Sequence, residues 1–243
     1  MMRWELEPVR GTVRALHERS AALVSGPAGP GAAGSGPAGS GPLHRRALAH
    51  YPADAALVLG STQPEATVDR LACAAAGVEV VRRRSGGGAV LVEPGSLLWV
   101  DIVLPAGDPL WSDDVGRAAW WVGEVWAQAL AGSGLGPLGV WRQPMRKNKW
   151  SSLVCFAGVG PGEVIGPAGS KVVGISQRRA RRGALYQCAC LLSWEPARLL
   201  KLLALTPEQA EPAWGELAAV ATGIGAGRAE SVLEHLGRAL AKC

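Results

Sequence analysis

Nothing in the 243 residues forms an uninterrupted apolar run of about 18, the length a membrane-spanning helix requires. The opening MMRWELEPVRG lacks the apolar stretch of a secretory leader. The protein is therefore expected to be soluble and cytoplasmic, with no membrane partner. Its five cysteines, an odd number, show no Cys-x-x-Cys spacing, which argues for reduced thiols in a reducing compartment. The four histidines, His17, His44, His50 and His235, never pair at metal-ligand spacing, so no metal site is expected. No repeat is visible. Aromatic residues are not interleaved with the basic tracts, so nucleic acid is not an expected partner.

What is present describes a globular protein. With 48% hydrophobic and 19% charged residues, the chain can bury a sizeable core and reads as a single domain over 1–243. A net charge of +5 and a pI near 9.2 favour anionic partners such as nucleotides or an acidic protein. Gly26–Pro42 contains only Gly, Pro, Ala and Ser and cannot offset its own ordering entropy. It reads as a flexible insertion.

Residues 9–24 carry a helical apolar period. Ala55–Gly60 reads as a buried strand, Thr67–Ala76 as a helix, and Leu97–Leu104 as a covered strand in mid-sheet. Ser112 is a suitable N-cap, with Asp113 and Asp114 at the positive end of a helix burying Val115, Ala119, Val122, Val125, Trp126 and Ala129. Ser151–Phe156 reads as a strand, as do Lys171–Gln177 and the alternating ALYQCACLL, whose Cys188 and Cys190 share a face. Helical segments are expected near 196–203, 210–221 and 228–241.

The chemistry gathers in Val78–Pro94, VEVVRRRSGGGAVLVEP. Two β-branched segments flank three arginines and a Ser-Gly-Gly-Gly turn, which reads as a hairpin. Gly86, Gly87 and Gly88 put no Cβ between the backbone and a ligand, and consecutive N–H groups in such a turn can cradle an anion. Arg82, Arg83 and Arg84 add fork-shaped cationic donors. The turn is either a phosphate-type cradle or a glycine hairpin without a ligand. A second constellation is Lys171-x-x-Gly174-x-Ser176-Gln177. Alone, Lys171 reads as a solvated strand-end lysine; beside the first motif it reads as a mobile cation for a carbonyl or phosphate oxygen.

Arg-Arg-Arg-Ser-Gly-Gly-Gly-Ala-Val followed downstream by Lys-x-x-Gly-x-Ser-Gln resembles, in order and separation, the paired signature of lipoate–protein ligases. These share a superfamily with biotin–protein ligases and octanoyltransferases. The resemblance spans Ala55–Trp194 and implies an α+β fold, a central mixed β-sheet flanked by helices. It implies that Arg83, Arg84, Ser85, Gly86, Gly87, Gly88, Ala89, Gly174, Ser176 and Gln177 bind an acyl-adenylate, with Lys171 on the acyl carbonyl and α-phosphate. The reaction implied takes lipoate or octanoate, ATP and Mg2+, the metal carried on the triphosphate, to acyl-AMP and then to a lysine of a lipoyl carrier domain. Carriers of that kind are often acidic, and Arg178–Arg182 is either their landing patch or a solvated turn. The chain stops short of the accessory domain of larger ligases, which implies a separate accessory subunit or none. Ser151-Ser152-Leu153 stands where many ligases carry Asn-Asp-Leu.

Cys155-Phe156 resembles a different branch, the cysteine-dependent octanoyltransferases, which form a thioester and need no ATP. Those enzymes tend to carry arginine where this chain has Gly88. Cys155 is either that nucleophile or a small buried hydrophobe. The ligase is the first expectation, the transferase or a non-catalytic relative the alternative.

Overall fold

The computed structural model describes residues 4–25 and 43–243; the expected insertion at 26–42 lies outside them. In chain order the elements are β1 (Leu6–Gly11), α1 (Val13–Ser25), β2 (Arg46–Pro52), β3 (Ala56–Leu59), α2 (Arg70–Ala75), β4 (Glu79–Arg82), β5 (Val90–Val92), β6 (Leu97–Pro105) and α3 (Trp120–Gly132). There follow β7 (Gly139–Val140), β8 (Val164–Ile165), β9 (Lys171–Ala180), β10 (Gly183–Leu191), α4 (Pro196–Leu200), α5 (Pro207–Ala218) and α6 (Ala229–Leu240). Seven strands make a mixed sheet in the order β1-β2-β6-β10-β9-β8-β7, and three make a second sheet in the order β4-β3-β5. The expected class, α+β with a central mixed sheet flanked by helices, is the one observed.

β6 sits centrally, between β2 and β10, and every residue but Pro105 is buried. Its even positions Leu98, Val100, Ile102 and Leu104 join Val122, Val125 and Trp126 of α3 and Val232 and Leu236 of α6. Its odd positions Leu97 and Trp99 face the other way, toward Val58, Val81 and Val92 of the small sheet and Val13 and Leu16 of α1. A continuous apolar run with both faces covered is what a central strand needs. Cys188 and Cys190 do share a face, the one toward α3. Burial pushes both thiols far up, so they stay protonated.

Several local expectations are corrected. The first helix begins at Val13, not at 9; Val9 is in β1, and the Asp54 carboxylate accepts from Val13 N at 2.7 Å. Thr67 belongs to a turn, and α2 starts after Asp69, whose side chain accepts from Ala72 N at 2.9 Å. Ser112 caps nothing. Asp114 closes a local turn on Gly116 N at 2.8 Å, the helix waits until Trp120, and Val115 is exposed. Ser151–Phe156 is not a strand: Asn148 and Ser151 bond each other's backbone and side chain, and a short 3-10 turn covers Cys155–Ala157.

The arginine-glycine segment is not a hairpin either. β4 and β5 both pair with β3, one parallel and one antiparallel, so residues 83–89 cross over the end of β3. That crossing is tight. A Cβ on Gly88 would lie 2.5 Å from Val154 N and 2.6 Å from Leu153 C. The two backbones are already clamped there, Ala89 N donating to Leu153 O at 2.7 Å and Cys155 N to Ala89 O at 3.0 Å. Gly88→Ala must break that clamp. We expect a loss of about 3 kcal/mol, read as roughly 6–12 °C in Tm by circular dichroism; an unchanged melt would show that the loop yields without cost.

Candidate active site

Between the two sheets lies a cavity of about 330 Å³. Its floor is the large sheet: Leu97 and Trp99 of β6, Gln187 and Ala189 of β10, Gly174 and Ser176 of β9. Its roof is the small sheet with the glycine crossing, and Cys155, Phe156 and Lys171 close one side. The volume and the apolar walls suit a small molecule with an alkyl part.

The glycine crossing is held by its own arginine. Arg83, 6% exposed, donates from Nη2 to Gly86 O at 2.7 Å and Gly88 O at 2.9 Å, and from Nη1 to Val58 O at 3.2 Å. Gly87 takes φ +100°, which other residues rarely adopt. Gly86 has open space where a Cβ would go, so its bareness serves the cavity rather than the packing. Ser85 Oγ donates to Ser176 Oγ at 3.1 Å and ties the crossing to β9. Gln177 also lines the cavity, and its buried Nε2 has no hydrogen-bond partner among the described residues. Its cross-strand partner Tyr186 packs on the α3 side of the sheet, so this amide lies on the face away from the cavity floor.

Two expected residues stand apart. Arg84 is exposed and lines a neighbouring depression with Arg178 and Glu18. Ala89 is fully buried and contributes backbone, bridging Val154. The basic tract is not a free-standing turn ahead of the strand: β9 runs through Ala180, and Arg181-Arg182 turn into β10.

Lys171 is not solvated. At 1% exposure, it is fixed at the start of β9, its N donating to Val220 O at 2.8 Å. Its Nζ donates to Cys155 O at 2.9 Å and to both oxygens of Glu163, at 3.0 and 3.1 Å. Glu163 also accepts from Gly160 N at 2.6 Å and Ile175 N at 3.0 Å. Sequence reasoning missed this carboxylate. The available signal was a lone acid in the Gly-Pro loop that leads into Lys171.

Cys155 opens on the cavity, and Arg83 Nη2 lies 3.7 Å from its Sγ. The cavity wall also holds His17, its ring tilted 40° to Trp99 with centroids 4.4 Å apart and bonded to Gln187 Nε2 at 3.3 Å. Burial is the main cause that lowers the His17 pKa, from 6.5 to about 4, so the ring is neutral near pH 7. Behind it Asp101 accepts from Trp99 Nε1 at 2.7 Å and contacts His50 at 3.1 Å. Burial pushes that carboxyl up, but its hydrogen bonds with His50, Ser20 and Trp99 outweigh it and hold it below the usual range. Neither His17 nor Asp101 carried a motif that sequence could flag. Among the described residues no cluster of three or more His, Cys, Asp or Glu is placed to hold a metal ion, and no helix is long and apolar enough to cross a membrane.

Comparison with known proteins sets this geometry in context. Residues 41–222 match the family model of the lipoyl protein ligase A/B catalytic domain. Among solved structures, a bipartite lipoate protein ligase of Thermoplasma acidophilum, from a study of it and its E2 lipoyl domain, is 16% identical with a TM-score of 0.69; the match covers 98% of this chain and 83% of that one. T. acidophilum protein Ta0514 with bound lipoic acid is 17% identical with a TM-score of 0.64, over 98% and 85%. Lipoate-protein ligase A bound with ATP is 18% identical with a TM-score of 0.63, over 99% and 84%. No curated protein matches the chain in sequence.

Proposed function

Because the chain belongs to the lipoyl protein ligase A/B catalytic-domain family, we propose that it attaches a lipoyl or octanoyl group to a lysine of a lipoyl carrier domain, by way of a thioester on Cys155. The observation that carries this reading is the position of the thiol. Cys155 opens on the acyl-sized cavity, with a guanidinium nitrogen 3.7 Å from its sulfur and a lysine ammonium on its own carbonyl.

In the first step the Cys155 thiolate attacks the carbonyl carbon of an acyl thioester. The donor's C–S bond breaks, and the donor thiol leaves with the proton that Cys155 gave up. In the second step the neutral amine of a carrier lysine attacks the Cys155 thioester. The amide forms, the acyl–sulfur bond breaks, and a proton from the amine returns to Cys155. Arg83 sits where negative charge gathers on sulfur in both steps. Val58, Val90, Val92 and Leu97 take the alkyl chain.

The second reading is the adenylate route, favoured by the glycine crossing and by the relative solved with ATP. There Arg83, Ser85, Gly86, Gly87, Gly88 and Ser176 would face the acyl-adenylate, with Arg84 further out. Magnesium would arrive on the triphosphate, since the carboxylate in the cavity wall, Glu163, is already bound to Lys171. Either route uses a lipoyl carrier, and the relative studied with its E2 lipoyl domain supports that partner. The arginine-rich end of the β9–β10 hairpin gives an acidic carrier a landing surface. That relative is bipartite, which supports an accessory subunit here as well. A cytoplasmic setting fits the reduced cysteines.

The test is the intact mass of an apo lipoyl carrier domain after incubation with this protein. One arm holds octanoyl-loaded acyl carrier protein without ATP; the other holds lipoate, ATP and magnesium. A shift in the first arm supports the thioester route. A shift confined to the second replaces it with the adenylate route, and no shift in either overturns both.

A further inference from the structure

The charged side chains lining the cavity are Arg83, Lys171 and Glu163. Glu163 is the single acid among them, and nothing in its motif marks it for catalysis. Its position is nonetheless heavily determined. Both oxygens lie within 3.1 Å of Lys171 Nζ, and two backbone N–H groups, of Gly160 and Ile175, lock the carboxylate in place. The pair is sealed from solvent, Lys171 at 1% and Glu163 at 6% exposure, with the Phe156 ring 5.0 Å from the ammonium. Three acceptors meet three N–H donors, so Lys171 as it stands directs no spare donor at a substrate.

We propose that Glu163 selects the acyl donor: by compensating Lys171 it fits the cavity to a neutral thioester and against an anionic acyl phosphate. The inference rests on the acyl-transfer reading above. Its physics is local. A phosphate brought to Lys171 also comes within a few ångströms of the Glu163 carboxylate, so attraction and repulsion nearly cancel. A thioester carbonyl carries no net charge and suffers no such repulsion. Lys171 is left to hold the Cys155 carbonyl, and with it the segment that carries the nucleophile. Glu163 is thus a positioning and specificity residue acting through Lys171.

Removing the negative charge alone raises the net charge of the lining from +1 to +2, counting Arg83, Lys171 and Glu163. The test measures calorimetric affinity for octanoyl sulfamoyl adenosine, a stable anionic mimic of an acyl-adenylate, with octanamide as the neutral probe. Glu163→Gln should bind the anionic mimic at least about tenfold more tightly than the parent chain, with octanamide changed by less than about threefold. A merely structural role would weaken both. Adding Lys171→Met to Glu163→Gln should abolish the gain. No gain in the single variant, or a gain that survives the second substitution, overturns the proposal. Should Glu163→Gln fail to fold, the double variant against the parent chain decides, since a buried ion pair can be exchanged for a neutral one with little loss. Anionic affinity within about threefold of the parent supports the compensated pair; a loss of tenfold or more overturns it. Binding is read without turnover, so the result stands whether or not Cys155 carries the acyl group.

Discussion

Cys155→Ser should lower acyl transfer from a thioester donor by roughly 1,000-fold or more, with the fold untouched. A serine hydroxyl is not ionised near neutral pH and attacks a thioester far more slowly than a thiolate does. The change is otherwise small. The backbone bonds that place the residue, Cys155 N to Ala89 O at 3.0 Å and Lys171 Nζ to Cys155 O at 2.9 Å, do not involve the side chain. Among the described residues the Cys155 sulfur's polar contact is the 3.7 Å approach to Arg83, and the half-buried side chain packs at the edge of the core. Stability should therefore change by no more than about 1 kcal/mol. Single-turnover transfer to the carrier, followed by mass spectrometry beside a thermal melt, separates the two quantities. A variant that melts normally and still transfers at the parent rate would remove Cys155 from the mechanism and leave the adenylate route.

Lys171→Met should have the largest effect on stability. It leaves the Glu163 carboxylate sealed in the protein with two backbone N–H donors and no cation. Removing one partner of a buried pair generally costs about 3–5 kcal/mol, far more than the pair itself contributes. In a chain of this length that corresponds to roughly 6–20 °C in Tm. Activity should fall as well, because the Cys155 carbonyl loses its donor. The double variant Lys171→Met with Glu163→Gln should recover most of the stability and none of the activity. Denaturant midpoints measured on the three chains check this. If Lys171→Met melts with the parent, the sealed pair contributes nothing to the fold.

The parts of this architecture legible in the sequence are those set by local pattern. Leu97–Leu104 reads as a covered central strand because both faces are apolar, and the strand is there. ALYQCACLL reads as a strand by alternation, and it pairs with the strand expected over Lys171–Gln177. Other segments misread because a single side chain redirected the backbone. Asp114 closes a turn where a helix start was expected, and Asn148 with Ser151 coils the segment 151–156 that reads as a strand. The crossing of residues 83–89 was invisible for a different reason: whether two strands pair with each other or with a third between them is a long-range fact. The same holds in the cavity. Arg83, Ser85, the glycines and Lys171 announce themselves by motif, whereas Glu163, His17 and Asp101 matter only through what the fold brings beside them. Even Arg83 was legible as a residue but not in its contacts, since its donors hold the loop's own carbonyls.

The way position 155 is held has a consequence for divergence. The main chain there is gripped from both sides, by Ala89 and by the Lys171 ammonium, through contacts that do not involve the side chain. Drift at this one position can therefore add or delete a nucleophile without rebuilding the surrounding framework. A single ancestral scaffold could then exchange one activation chemistry for another through a substitution at 155, retuned by the carboxylate at 163.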